Sequence, residues 1–213
     1  GAVVKIVTDH PSLKLAADKR ARLFLVSSAE FAEHGFNQAS LNRIIGAVGM
    51  SKSSFYHYFR DKTDLFAQIL NDALAPVIAA RQDFDPQHLD GETFWPWIID
   101  VTQSLTGIVN NRPELVQVGR MFYRSLDNPQ ERRLTRDIMA ELSHWIETLL
   151  ARGQALGQIR DDLPASYLIV MVMALGVSTD RWMLAHWDEA SDQDRLQMNG
   201  KILDMFRRLL VQP

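Results

Sequence analysis

Between Lys52 and His57 the sequence KSSFYH sets five hydrogen-bonding side chains, Lys52, Ser53, Ser54, Tyr56 and His57, around one phenylalanine. An ammonium, two hydroxyls, a phenol and an imidazole can donate to phosphate oxygens and to acceptors on base edges. At helical spacing Phe55 and Phe59 fall four apart and share one face, which leaves the polar groups on the other. Lys52 to Ser54 would then stand in the first turn, where unpaired amides and the helix dipole favour an anion. A merely solvated face is the plainer alternative, but the run Tyr56-His57-Tyr58 is more aromatic than such a face favours.

Bond-making chemistry has no comparable set of residues. The sequence contains no nucleophile–base–orienter set, no glycine loop to cradle phosphate and no Gly-x-Ser-x-Gly elbow, so no enzyme activity and no cofactor are expected. Glu141-x-x-His144-x-x-Glu147 puts an imidazole near two carboxylates on one side of a helix. A metal centre in a helical bundle needs a matching set on other helices, and no second Glu-x-x-His occurs, so solvated surface and no metal are expected. His186 with Glu189 reads the same way.

The elements that position the polar cluster follow from periodicity. Leu41, Ile44, Ile45 and Val48 recur at helical spacing behind Ser40, a capping residue, and Ser51 caps the helix that carries Phe55 and Phe59. Gly49 lies between them and supplies the conformational freedom of a steep helix–helix turn. Residues 41–62 therefore read as a helix–turn–helix, the unit that lays one helix across a DNA backbone and the next in the major groove. Upstream, a helix is expected from about Asp18 to His34, with Ala21, Leu25, Ala29 and Ala32 as its stripe, Phe24 and Phe31 beside it, and Gly35 as its stop. Downstream, helices are expected from Lys62 to Arg81 with a bend near Pro76, from Pro96 to Asn110, and from the break at Asn111-Arg112-Pro113 to Leu126. Three more are expected: from Asp127-Asn128-Pro129 to Gly153, from Ala165 to His186, and from Asp192 to Val211. Strand signals are nearly absent. The fold expected is all-α with about nine helices, in two domains: residues 1–62, an N-terminal arm with a three-helix DNA-binding unit, and residues 63–213.

At 213 residues with 46% hydrophobic and 23% charged residues the composition is that of an ordinary globular protein, and it contains no cysteine for a disulfide framework or a thiolate metal site. Formal charge is −3, which hides a split. Residues 1–62 carry a net +4 and residues 63–213 a net −7. A cationic end on an acidic body suits a protein that turns one face to phosphates. The longest apolar run, Tyr167 to Val177, is too short to span a bilayer, so a buried helix is expected there, with no membrane partner and a cytoplasmic location.

The stretch GFNQASLNRIIGAVGMSKSSFYHYFRDKTDLF resembles the DNA-binding region of the tetracycline-repressor (TetR) family of bacterial regulators. The features in register are Gly35-Phe36, Ser40 with Ile44, Gly49-Met50-Ser51, Tyr56-His57-Tyr58-Phe59 and Lys62-Thr63-Asp64-Leu65. Gly157-Gln158-Ile159-Arg160-Asp161-Asp162 resembles a connector common before the family's eighth helix. Departures are Ala39, where a hydroxyl is frequent, Ser53 in place of Gly, and Met50 in place of Val. The resemblance implies that Ser40, Ser54, Tyr58 and Lys62 hold phosphates while Lys52, Ser53, Tyr56 and His57 approach bases. It further implies a regulator, in the main a repressor, that binds a palindromic operator in double-stranded DNA as a homodimer through its last two helices. A small-molecule effector would release it by moving the helix from Asp64 to Arg81. Trp97, Thr102, Arg120, Tyr123, Trp145, Ser178 and Trp182 are the expected lining of the effector pocket, for an aromatic or amphipathic ligand that is uncharged or weakly anionic, with Arg120 or Arg124 as partner of an anion. The alternative is a small-molecule-binding helical protein whose helix–turn–helix serves protein–protein interaction.

Overall fold

The computed structural model describes residues 9–82 and 84–213; residues 1–8 of the expected arm, and Asp83, lie outside the described residues. The described chain holds nine α-helices and no strand. They are α1 (Ala17–Gln38), α2 (Leu41–Ala47), α3 (Lys52–Tyr58), α4 (Lys62–Gln82), α5 (Phe94–Asn111), α6 (Leu115–Asp127), α7 (Arg136–Ala155), α8 (Ala165–Ala185) and α9 (Asp192–Leu210).

Helix ends follow local chemistry. Ser40 Oγ accepts from Arg43 N–H and Ser51 Oγ from Ser54 N–H. At α9, Ser191 and Asp194 exchange side-chain and backbone bonds in a capping box. Pro96 falls at the third position of α5, where no intrahelical N–H bond is lost. α7 starts later than its sequence suggests. Asn128 Oδ1 takes the Gln130 N–H, the buried Glu131 carboxylate turns inward, and a 3-10 turn at Arg132–Leu134 precedes the helix.

The chain packs as two compact units. One comprises residues 1–83 and 114–138, the other residues 84–113 and 139–213. A division after Lys62 does not match this packing, because α4 and α6 share a core with the helix–turn–helix. Met121 of α6 is fully buried with Leu23, Phe31, Ile44, Phe55, Leu65 and Phe66. Phe31 meets Phe36 at 5.8 Å and Phe66 at 5.2 Å between ring centroids. The inner face of α1 differs from the alanine-rich stripe read from the sequence. Leu25 is 48% exposed; Phe24 and Phe31, expected beside the stripe, are buried, and Leu23, Ser27 and Ser28 are buried with them. Two serines tolerate burial because Ser27 Oγ donates to Leu23 O at 2.6 Å and Ser28 Oγ to Leu25 O at 3.0 Å.

In the second unit Phe94, Ile159 and Leu168 are fully buried at the centre of a core that also takes Trp95, Leu150 and Leu210. Arg152 donates to the carbonyls of Gln87 and Leu89, tying α7 to the segment before α5. Arg195 of α9 bonds Asn110 Oδ1, the carbonyls of Trp187 and Ala190, and the Asp192 carboxylate. α8 is not the buried helix expected. Leu168 and Ile169 point inward, yet Tyr167, Val170 and Trp182 are 53%, 65% and 49% exposed. The helix is longer than the apolar run, continuing past Val177 through Ser178 and Thr179, so α8 has the length and mean hydropathy (1.5) of a membrane span with only 11% of that window buried.

Candidate nucleic-acid interface

Gly49 adopts φ +68°, and a Cβ built there meets nothing within 4 Å. The requirement for glycine is thus conformational, set by the left-handed turn from α2 into α3. α3 is short and depends on its anchors. Phe55 is fully buried and stacks on Phe59, centroids 5.2 Å apart at 19°, and Phe59 lies 6.4 Å from Phe24 and 5.6 Å from His10. With that face fixed, Lys52, Ser53, Tyr56 and His57 are exposed, while Ser54 and Tyr58 are half-buried. Tyr58 packs on the core and meets His57 edge-on at 4.9 Å. The four side chains expected to approach bases therefore share one exposed surface, flanked by two of the four expected to hold phosphates.

The other two also have structural work. Ser40 Oγ caps α2, which leaves its own hydrogen to donate. Lys62 Nζ donates to the carbonyls of Asn37 at 3.3 Å and Ala39 at 3.2 Å, and lies 4.7 Å over the Phe36 ring. Burial pushes the Lys62 pKa down, and the facing Glu131 carboxylate opposes that shift. Glu131, itself buried, accepts the Asn37 N–H at 3.1 Å and the Ser125 hydroxyl at 3.3 Å. Lys62 and Glu131 thus grip the C=O and N–H groups of the link between α1 and α2. Two of the three ammonium hydrogens are used this way, and one remains for a phosphate.

Two further pairs fix the unit. Glu30 accepts the Ser40 N–H at 3.0 Å and pairs with Arg43 at 2.6–2.8 Å. Burial pushes the Glu30 carboxyl up, but the bonds from Arg43 and Ser40 outweigh it and hold the pKa below its ordinary 4.5. A carboxylate with a depressed folded-state pKa contributes stability above its unfolded value, and that stability is lost as pH falls through the folded pKa. Glu30→Gln is accordingly expected to lower stability above about pH 4.5 and to leave it little changed in more acidic solution. Urea unfolding at neutral pH and at pH below the folded value checks this, and a loss independent of pH would refute it.

His10 is the second anchor. Its Nδ1 accepts the Ser12 N–H at 3.0 Å, so the ring hydrogen sits on Nε2 and donates to the Asp64 carboxylate at 3.0 Å. This bond holds the turn before α1 against the first turn of α4, next to Phe59. The sequence gives one clue to it, the acidic residue placed at a helix start; its partner, 54 positions away, has none.

The expected pocket residues scatter. Arg120 and Tyr123 stand on α6 in the first unit, where Arg124 donates to Ala32 O. In the second unit Trp97 stacks on Phe84 at 4.0 Å and lies 5.8 Å from Trp145. Ser178 and Trp182 fall on the exposed side of α8, Trp182 stacked on His186 at 4.2 Å. Thr102 alone lines a cavity, one of about 250 Å³ between α5, α7, α8 and α9. His144 and Glu147 border a separate depression with Arg152.

A capped, glycine-turned helix pair that buries two phenylalanines and exposes a lysine, a serine, a tyrosine and a histidine defines a helix–turn–helix DNA-binding protein. Residues 26–69 match the profile of bacterial regulatory proteins of the tetR family. The HTH-type transcriptional repressor SCO4008 of Streptomyces coelicolor is 28% identical over 161 residues, 73% of this chain and 75% of that protein. The repressor BepR of Brucella suis is 28% identical over 168 residues, 74% and 78% of the two chains. Among solved structures, the ketosteroid transcriptional regulator KstR2 of Mycobacterium tuberculosis superimposes with a TM-score of 0.67 at 16% identity, covering 93% of this chain and 97% of that one, and shares the fold. Residues 26–69 thus carry a DNA-binding region of the tetR-family type, and over about three quarters of its length the chain is similar to helix–turn–helix transcriptional repressors.

Proposed function

We propose that the protein is a homodimeric repressor that reads a palindromic operator with α3 and leaves it when a small molecule binds the second unit. The observation that carries the DNA-reading half is the outward presentation of Lys52, Ser53, Tyr56 and His57 by an α3 locked through Phe55 and Phe59. The repressor names of the curated relatives favour repression over activation. Ser40, Ser54, Tyr58 and the remaining ammonium hydrogen of Lys62 take phosphates on either side. Expression in the cytoplasm, with the chromosome, follows from that role.

The dimer rests on α8 and α9. Tyr167, Val170, Ala174, Ser178 and Trp182 form one exposed stripe at helical spacing, and Met205 and Leu209 are exposed on α9. A surface this apolar calls for cover, and two copies of a helix pair packed as a four-helix bundle provide it. The same cover accounts for α8 without a membrane. Signal transfer runs along the backbone: the chain passes between the packing units near residues 83, 113 and 138, so α4 leaves the first unit at its end and α6 is bounded by two crossings. A ligand that favours one arrangement of the second unit shifts both helices by its differential affinity.

Val170→Asp with Met205→Glu is expected to yield monomers in sedimentation and to weaken palindrome binding by orders of magnitude, because only one half-site is then held per protein. A dimer that survives both charges would sink the interface. The protein-interaction alternative makes a different forecast: duplex binding would lack the steep salt dependence that phosphate contacts impose.

A further inference from the structure

A carboxylate sits buried at the joint between α1 and α2. Glu131 is 2% exposed and stands between α6 and the 3-10 turn at Arg132–Leu134. Burying a carboxylate is costly unless donors meet it. Gly35 accounts for one of them. At φ 76° and ψ 166° it breaks the helical geometry of α1, so an amide just beyond it needs an acceptor from elsewhere. Asn37 N–H donates to Glu131 Oε1 at 3.1 Å, and the Ser125 hydroxyl donates to Oε2 at 3.3 Å. The carbonyl side of the same link is held by Lys62, whose ammonium donates to Asn37 O and Ala39 O. Ser40, the α2 cap, follows Ala39 directly, so one stretch of backbone sets both the ammonium and that hydroxyl. The segment that carries Glu131 meets the joint at two further points. Arg124 donates to Ala32 O at 3.3 Å, and the Arg133 guanidinium lies over the Phe36 ring, 5.7 Å from its centroid.

We infer that Glu131 is a positioning residue for DNA binding: by holding the Asn37 N–H it fixes the link that presents the Lys62 ammonium and the Ser40 hydroxyl to operator phosphates. The inference rests on the DNA-reading proposal above and adds to it a residue that acts through Lys62 and Ser40. Charge makes the role distinguishable. A carboxylate beside a phosphate-binding cation opposes DNA, so if charge were its only effect its removal would tighten binding. Removal of a positioning acceptor weakens binding instead. The acceptor also comes from outside the helix–turn–helix. Residues 114–138 join second-unit residues at both ends, so a displacement of that segment would carry Glu131 away from Asn37 and loosen the hold on phosphate.

Fluorescence anisotropy of the full chain on a palindromic duplex selected from random-sequence DNA tests this. Glu131→Ala is expected to weaken binding roughly tenfold, the scale of one hydrogen bond to a charged group, and to flatten the salt dependence as Lys62→Ala does. Glu131→Gln keeps an acceptor oxygen and should restore both. In a Lys62→Ala background Glu131→Ala should add little, because the two changes disable one contact. Glu131→Asp keeps the charge but draws its oxygens back by a methylene, so it should bind more weakly than Glu131→Gln; this contrast decides the matter if the alanine variant does not fold. Without DNA, the Asn37 amide should exchange its hydrogen faster in Glu131→Ala and Glu131→Asp, and at the wild-type rate in Glu131→Gln. Tighter or unchanged binding in Glu131→Ala, a loss that adds in full to that of Lys62→Ala, or Glu131→Asp binding as the wild type while Glu131→Gln does not, would overturn the role alone. A wild-type chain with no salt-dependent duplex binding would overturn the DNA reading and this role together, with the exchange at Asn37 still reporting the bond itself.

Discussion

Lys52→Ala is expected to weaken binding of a palindromic duplex roughly tenfold to a hundredfold at about 0.15 M salt, and to flatten its salt dependence by about two counterions per dimer. Each protomer loses one exposed cation at the start of α3, so each half-site releases about one counterion fewer. Tyr56→Ala removes no charge and should leave the slope intact. It should instead cost about 1–3 kcal/mol per half-site and relax discrimination among operator variants, the pattern of a lost base contact. Tyr56 is 55% exposed and Lys52 is exposed, so neither change should move the unfolding midpoint by more than about 0.5 kcal/mol. Fluorescence anisotropy across a salt series reads all of this. An unaltered slope in Lys52→Ala would show that α3 is not the element facing phosphate.

Phe55→Ala is expected to do the opposite, lowering stability by about 3–5 kcal/mol while removing no group that touches DNA. The ring is fully buried, stacks on Phe59 and meets Tyr56 edge-on at 5.2 Å. α3 has seven residues, too few to hold its shape without tertiary packing. Loss of its anchor should therefore melt the reading head before the rest of the chain. Urea unfolding followed by ring fluorescence gives the magnitude, and a loss under about 1 kcal/mol would contradict the packing described. Phe55→Leu, which keeps apolar volume, should recover most of the loss. DNA binding then falls with stability in the alanine variant and returns in the leucine variant, whereas it stays low in Lys52→Ala at full stability.

Much of the first unit was legible because its determinants are local. Ser40 and Ser51 cap helices within three residues of themselves, Gly49 answers for its own backbone, and Phe55 and Phe59 meet across one helical turn. The family pattern at Gly35 to Leu65 is built from such short-range requirements, so it survives in register. The alanine-rich stripe assigned to α1 failed for a physical reason: periodicity does not distinguish an alanine facing water from one facing a core. Two serines won the inner face because each hydroxyl could return its hydrogen to a carbonyl of the preceding turn.

Long-range partnerships were not legible. Lys62 looked like a free phosphate donor until Asn37 and Ala39 were seen to use its ammonium, and nothing near Glu131 in sequence points to a turn 94 positions away. Pocket residues chosen for ring size and polarity divided between two packing units, because residue type carries no information about which helix faces which. By itself the sequence determined the helices, the turn and the exposed cluster from Lys52 to His57, all products of backbone preference and helical period. Only the tertiary structure decided that α6 belongs with the reading head and that α8 bares an apolar stripe. Those outcomes depend on which distant faces meet, and side-chain spacing along the chain does not encode that.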